Sequence, residues 1–312
     1  MDEDVKTWVI GAGGLIGSAI VQTSGIRAFE SAKIPWATAD APTVLRNELD
    51  RFLDWVGNDK WGIVWAAGVG VMHTDQSSLD VEIATFGAFC ARTSEAFPPN
   101  QGGLYVVSSA GGLYAGSENP PFGVDTQPHP SNAYGRSKLE QERIAVKALS
   151  SRIPVTIGRL SNVYGPGQNL SKQQGLVTQL GLCSVLNKPA TIFAPLSTLR
   201  DYIFAADAAR AVAADVCQMA RACEPSVLQK IVCSGRSTSI AELIAIVEKT
   251  TGRTIPVIHS LTDRPYVIDL RLKGPPHSPV TDMSATPLEV GVSIVFQDLL
   301  SQLADGRLAH LG

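Results

Sequence analysis

The stretch that most constrains this chain stands near its start. Thr7-Trp8-Val9-Ile10 reads as a strand and runs into Gly11-Ala12-Gly13-Gly14-Leu15-Ile16-Gly17, after which the apolar spacing becomes helical. A glycine-rich turn between a strand and a helix has a specific physical use. Gly11 lets the chain turn sharply, Gly14 lets the backbone come close to a pyrophosphate, and Gly17 lets helix and strand pack closely. The helix start, with Leu15 and Ile16, offers backbone N–H groups and a partial positive charge to phosphate. In this context the motif predicts a dinucleotide-binding loop.

The pattern that follows is repetitive. Strands are expected at 34–37 (weak, because it holds Pro35), 62–67, 104–107 and 155–158, and helices at 44–56, 79–97 and 133–149. Strands alternating with helices predict a doubly wound α/β fold with a parallel sheet covered on both faces. An acidic residue ~20 positions beyond the loop would hold the adenosine ribose of NAD. Asp40 is the first choice and Glu30 the second, and the first arginine after the expected second strand is Arg46, which favours NAD over NADP. Beyond residue 168 the rhythm breaks into shorter, irregular elements. The expected division is therefore 1–168 for dinucleotide binding and 169–312 for a smaller substrate lobe, with segments near 202–235 returning to the first sheet.

Composition narrows the function. Of 312 residues 45% are hydrophobic and 18% charged, enough apolar material for a full core. The net charge of −3 offers no basic excess, which argues against a nucleic-acid partner. No apolar run approaches the ~20 residues that span a bilayer, and the acidic start Met1-Asp2-Glu3-Asp4 is unlike a signal peptide. Five scattered cysteines (Cys90, Cys183, Cys217, Cys223, Cys233) without a C-x-x-C read as reduced thiols, so a cytoplasmic setting is expected. Five dispersed histidines give no metal-binding pattern.

Tyr134-Gly135-Arg136-Ser137-Lys138 sets a phenol and an ammonium four residues apart on one helix face. A phenol alone titrates near ~10, and a nearby cation favours the phenolate, making a tyrosine usable as acid and base. A hydroxyl at the end of the preceding strand, Val106-Val107-Ser108-Ser109, would point into the same crevice; Ser109 is the first choice and Ser108 the second. Together the glycine loop and Y-x-x-x-K make the chain resemble the extended branch of the short-chain dehydrogenase/reductase superfamily, in its NAD-dependent, nucleotide-sugar epimerase/dehydratase family. Arg159-Leu160-Ser161-Asn162-Val163-Tyr164-Gly165-Pro166 resembles that branch's R-x-x-N-V-Y-G-P stretch, and Arg200-Asp201-Tyr202-Ile203 its R-D-Y-I stretch. The four motifs occur in order between residues 11 and 207.

The resemblance implies a Rossmann domain carrying a smaller C-terminal lobe, and a Ser109/Tyr134/Lys138 catalytic set. It implies that Lys138 also supports the nicotinamide ribose and that Ala66, Ala67 and Gly68 lie along the cofactor. Asn162 would touch substrate, Arg200 would grip a diphosphate, and Arg264 would add a second phosphate or ribose contact. Relatives often pair through helices, so a homodimer is expected. Where related 4,6-dehydratases carry an Asp-Glu pair, this chain has Ala110, Gly111 and Gly112, which argues against dehydration. The expected function is NAD(P)-dependent, epimerase-like chemistry on a nucleotide sugar. The alternatives are a sugar or small-carbonyl dehydrogenase/reductase and a non-catalytic dinucleotide sensor.

Overall fold

The computed structural model describes residues 4–36, 38–68, 74–97, 101–170, 174–222, 224–260, 267–274 and 285–308. Its centre is a six-stranded, all-parallel sheet in the order β2-β1-β3-β4-β5-β9. The strands are β1 (Val5–Ile10), β2 (Ile26–Ala28), β3 (Trp61–Trp65), β4 (Gly102–Ser109), β5 (Val155–Leu160) and β9 (Val227–Val232). Helices α1 (Leu15–Val21) and α7 (Ala205–Ala222) pack against each other on one face, over Val5, Val9, Val64 and Tyr105. Helices α2 (Ala41–Val56), α3 (Gln76–Ala96) and α5 (Ala133–Leu149) cover the other. That second face is aromatic: Trp8, Phe52, Trp61, Trp65 and Phe86 are fully buried and meet largely edge-on or tilted. Near-continuous apolar strands are what a sheet buried on both sides requires, so the doubly wound fold follows from the strands themselves.

The second strand lies eight residues earlier than the sequence suggests. Gly25, at φ +89°, turns the chain after α1, and Ile26–Ala28 pairs with Val5–Thr7. Residues 34–36 form a turn instead, Trp36 N–H donating to the Ile34 carbonyl. Pro35 lacks the N–H a ladder needs, and Ile34 is buried against α2 instead.

The second region is built from small pieces. β8 (Leu199–Phe204) pairs with β6 (Asn162–Tyr164), β10 (Ser237–Ser239) and β12 (Asp269–Leu270), and β7 (Ala190–Ile192) pairs with β11 (Val257–His259). Helices α6 (Leu176–Leu186), α8 (Ile240–Thr251) and α9 (Leu288–Ala304) enclose its core around Leu180, Leu243, Val247 and Leu299. Ser239 and Glu242 form a reciprocal capping box at the start of α8. The chain returns to the first sheet through α7 and β9, while β8 stays with the second region. Helix α9 begins at Leu288, directly after Pro287.

Candidate active site

A crevice of about 1140 Å³ opens at the carboxyl ends of β1 and β3. It is lined by the loop 11–16, by Ser31–Ile34 and Trp36, by Ala66, Ala67 and Gly68, by Glu82 of α3, and by Val163 and Gln168 from the second region. This is where the strand order reverses, the usual ligand position in open α/β sheets. Gly11 has φ +96°, and a Cβ there would stand 2.6 Å from the Ala67 backbone nitrogen, so β1 and β3 could not close together with any other residue. A Cβ on Gly17 would overlap the Gly11 carbonyl oxygen, which sets the strand–helix contact. Gly13 and Gly14 differ: a Cβ on Gly13 meets nothing within 4 Å, and one on Gly14 only the Gly11 oxygen at 3.4 Å. The fold does not need glycine at those two positions, whereas a ligand approaching the backbone does. Gly14 caps α1 without a side chain, so no side chain of the cap competes for the first N–H groups.

The two acids considered for the ribose sit differently from each other. Glu30 is exposed, two residues past the end of β2. Asp40 is the exposed N-cap of α2, without a side-chain capping bond, twelve residues past that strand. Neither is among the residues lining the crevice.

Ser108 and Ser109 end β4 on opposite sides of the sheet. The Ser108 hydroxyl is buried and donates to Glu142 Oε1 at 2.6 Å. Glu142 also binds Arg159 in a fork, with Nε to Oε1 at 3.1 Å and Nη2 to Oε2 at 2.7 Å, and Arg159 Nη1 donates to the Tyr114 oxygen at 2.8 Å. Burial pulls the Arg159 pKa down, but the hydrogen bonds and charge of Glu142 outweigh it and the net direction is up. Ser108 is therefore committed to a buried structural network. Ser109 is half-buried, and its oxygen accepts from Gly112 N–H at 3.1 Å, capping the short α4 (Ala110–Leu113).

The α4 turn packs directly on Tyr134. A Cβ on Gly112 would stand 3.1 Å from Tyr134 Cε1, and one on Gly135 would overlap the Gly112 carbonyl oxygen. Gly112 thus brings the Ser109 turn against the tyrosine ring. Asn132 caps α5, its side chain accepting from Gly135 N–H at 2.8 Å, so Tyr134 falls in the first turn, half-buried. One turn on, Lys138 is buried and donates to Gln141 Oε1 at 3.0 Å and to Glu82 Oε1 at 3.4 Å, while Gln141 Nε2 donates to Glu82 Oε1 at 2.7 Å. Glu82 and Gly68 line the crevice and Lys138 Nζ lies next to both, whereas Ser109, Tyr134 and Lys138 are not themselves among its lining residues. Glu82 and Gln141 went unnoticed in the sequence. The available signal was an acid on α3 with no Lys or Arg three or four residues away to pair with.

On the substrate side the arrangement is looser. The exposed Asn162 donates its amide to the Asp201 carbonyl at 2.8 Å, tying β6 to β8. Arg200 donates to the carbonyls of Leu199 and Val267, each at 2.8 Å. Burial draws its pKa down, against the opposing charges of Tyr202 and Asp269. Neither residue is among those lining the crevice. Arg264 lies outside the described residues. Among the described residues, no helix is long and apolar enough to cross a membrane, and no group of three or more His, Cys, Asp or Glu side chains is placed to hold a metal ion.

Residues 89–224 match the model of the NAD dependent epimerase/dehydratase family. Among curated proteins, the chain is 30% identical to dTDP-L-rhamnose 4-epimerase of Burkholderia thailandensis over 165 residues, 52% of this chain and 44% of that protein. It is 29% identical to dTDP-4-dehydro-6-deoxyglucose reductase of Escherichia coli over 147 residues, 46% of this chain and 44% of that one. The matched stretches thus span less than half of either relative. Among solved structures, MoeE5 in complex with UDP-glucose and NAD superposes with a TM-score of 0.73 at 19% identity, covering 96% of this chain and 99% of that chain. At that identity the likeness establishes the shared fold.

Proposed function

From the match of residues 89–224 to the model of the NAD dependent epimerase/dehydratase family, we propose that the chain is an NAD(P)-dependent epimerase acting on a nucleotide-linked sugar. The observation that carries this reading is the meeting of three elements at one end of the sheet. Tyr134 and Lys138 lie one turn apart on α5, the Ser109 turn packs on the tyrosine ring, and Lys138 Nζ stands beside Gly68, which lines the crevice that begins at the glycine loop. In this reading Gly11, Gly14, Leu15, Ile16 and Gly17 hold the pyrophosphate, and Ala66, Ala67 and Gly68 lie along the dinucleotide. NAD supplies the hydride acceptor and donor when bound.

The residues of the chain do the remaining work. Tyr134 takes the proton of a sugar hydroxyl at its phenolic oxygen and later returns it. The Ser109 hydroxyl holds the sugar oxygen while its charge changes. Lys138 places a positive charge beside the phenol and the nicotinamide ribose. Ser108 has no part, because its hydroxyl is spent on Glu142. Glu30 fits the ribose better than Asp40, since it stands two residues past β2 and Asp40 twelve. Asn162 and Arg200 contact the substrate, with Arg264 as a second phosphate ligand. Arg200 is a half-buried cation whose pKa burial lowers, so it would gain from the counter-charge of a diphosphate. The enzyme works as a cytoplasmic homodimer in this reading. Net reduction of a keto sugar is a second reading, favoured by the likeness to a reductase.

The glycine loop provides the first test. Calorimetry with NAD and with NADH should give saturable binding to the parent chain. Gly14→Val, whose Cβ would meet only the Gly11 carbonyl oxygen at 3.4 Å, should weaken it by at least ~10-fold. Equal binding by both proteins would remove the loop from the site.

A further inference from the structure

We propose that Glu82 is a positioning residue that acts through Lys138, holding its ammonium at the crevice for the hydroxyls of the cofactor ribose. The inference rests on the reading of Lys138 given above and adds a residue which that reading does not use. Its basis is a small closed network. Lys138 donates to both Gln141 and Glu82, and Gln141 donates to Glu82, so each side chain is held by the other two. The Lys138 and Glu82 side chains are each only 8% exposed. Removing two charges from water is costly unless the geometry is very good. Here the ion pair is a single contact at 3.4 Å, much looser than the forked Arg159–Glu142 pair one turn along α5. A pair kept for stability alone is poorly served by such geometry; an ammonium that must also meet a ligand is well served by it.

Gly68 shows which way the network opens. A Cβ there would stand 3.1 Å from Glu82 Oε1 and 3.3 Å from Lys138 Nζ. With glycine at this position, both polar ends adjoin the crevice at the end of β3. Glu82 is also the one carboxylate among the described residues that line the crevice. The other buried charged groups near this stretch of α5, Glu142 and Arg159, close on each other and on Ser108 and Tyr114. Two of the three N–H groups of Lys138 are engaged with Gln141 and Glu82, which fixes the ammonium and leaves one donor for a ligand hydroxyl.

The test is a double-mutant cycle on NADH affinity, read by cofactor fluorescence with the full chain and independent of the sugar substrate. Glu82→Ala and Lys138→Met should each weaken binding by about 10-fold, and the double variant should bind no more weakly than Lys138→Met alone. Glu82→Gln keeps an oxygen to accept from Lys138 and should stay within about 3-fold of the parent. If Glu82→Ala does not fold by circular dichroism, Glu82→Asp replaces it; its smaller loss should likewise vanish beside Lys138→Met. Losses that multiply in the double variant, or parent-like binding by Glu82→Ala, would overturn the proposal while leaving the reading of Lys138 intact. Parent-like binding by Lys138→Met would overturn both.

Discussion

Helix α5 carries two buried ion pairs one turn apart, and they serve opposite ends. Glu142 meets Arg159 in a fork and also accepts from Ser108, and Arg159 passes on to Tyr114, whose hydroxyl donates to the Gly123 carbonyl at 3.0 Å. Every strong donor and acceptor there has a partner, and the group welds α5 to β4 and β5. Lys138 meets Glu82 at one longer contact, beside a glycine and a cavity. The comparison teaches that burial by itself does not mark a structural charge. What separates the two pairs is that Arg159 is forked onto Glu142, whereas Lys138 spends two of its three N–H groups on Gln141 and Glu82 beside the crevice. The neighbouring serines follow the same division, since Ser108 belongs to the closed pair and Ser109 to the turn on Tyr134.

The contrast can be broken most forcefully at Arg159. Arg159→Met leaves Glu142 buried with its charge uncompensated, and urea unfolding should report a loss of about 3–5 kcal/mol. Lys138→Met should cost less, under about 2 kcal/mol, because Glu82 keeps Gln141 and adjoins an open crevice. Equal losses from the two substitutions would erase the distinction between the pairs.

A smaller effect tests the frame of the helix that carries Glu82. Asp75 caps α3, its carboxylate accepting from Ser78 N–H at 2.9 Å and from the hydroxyls of Ser77 and Ser78. These bonds, Ser77's foremost, hold its pKa down at about 2, from an ordinary 3.8. The folded chain thus favours the ionised form, so this stabilisation is complete above about pH 4 and fades as pH falls through 2. Asp75→Ala should melt slightly below the parent at pH 7, and the difference should shrink toward pH 2. A difference independent of pH would mean that the cap acts through packing alone.

Much of the first region was legible because its requirements are local. Gly11 and Gly17 answer to backbone contacts fixed by a strand, a turn and a helix, and Tyr134 and Lys138 share a face by helical spacing alone. The error at the second strand has a local cause as well. Ile34-Pro35-Trp36-Ala37 looks more apolar than Ile26-Arg27-Ala28, but the positive φ of Gly25 and the edge position of β2 favour the shorter, more polar stretch. What stayed hidden depends on distant partners. The choice between Ser108 and Ser109 is made by Glu142, 34 residues on, and Glu82 gains its meaning only when α3 packs beside α5. The strands β6, β10 and β12 are two or three residues long and exist only as neighbours of β8, too short to leave a period in the sequence.

The most direct test of the central claim is the mass of the product. The chain, supplied with NAD, is incubated with a panel of UDP-, GDP- and dTDP-linked hexoses in ordinary and deuterated water, beside Tyr134→Phe, and the sugars are analysed by mass spectrometry. The account predicts an isomer of unchanged mass in ordinary water, or a two-hydrogen change if a keto sugar is released. It also predicts a drop of at least ~100-fold for Tyr134→Phe. A product lighter by one water, made by the parent and not by Tyr134→Phe, would contradict it, and so would a Tyr134→Phe variant that turns over like the parent.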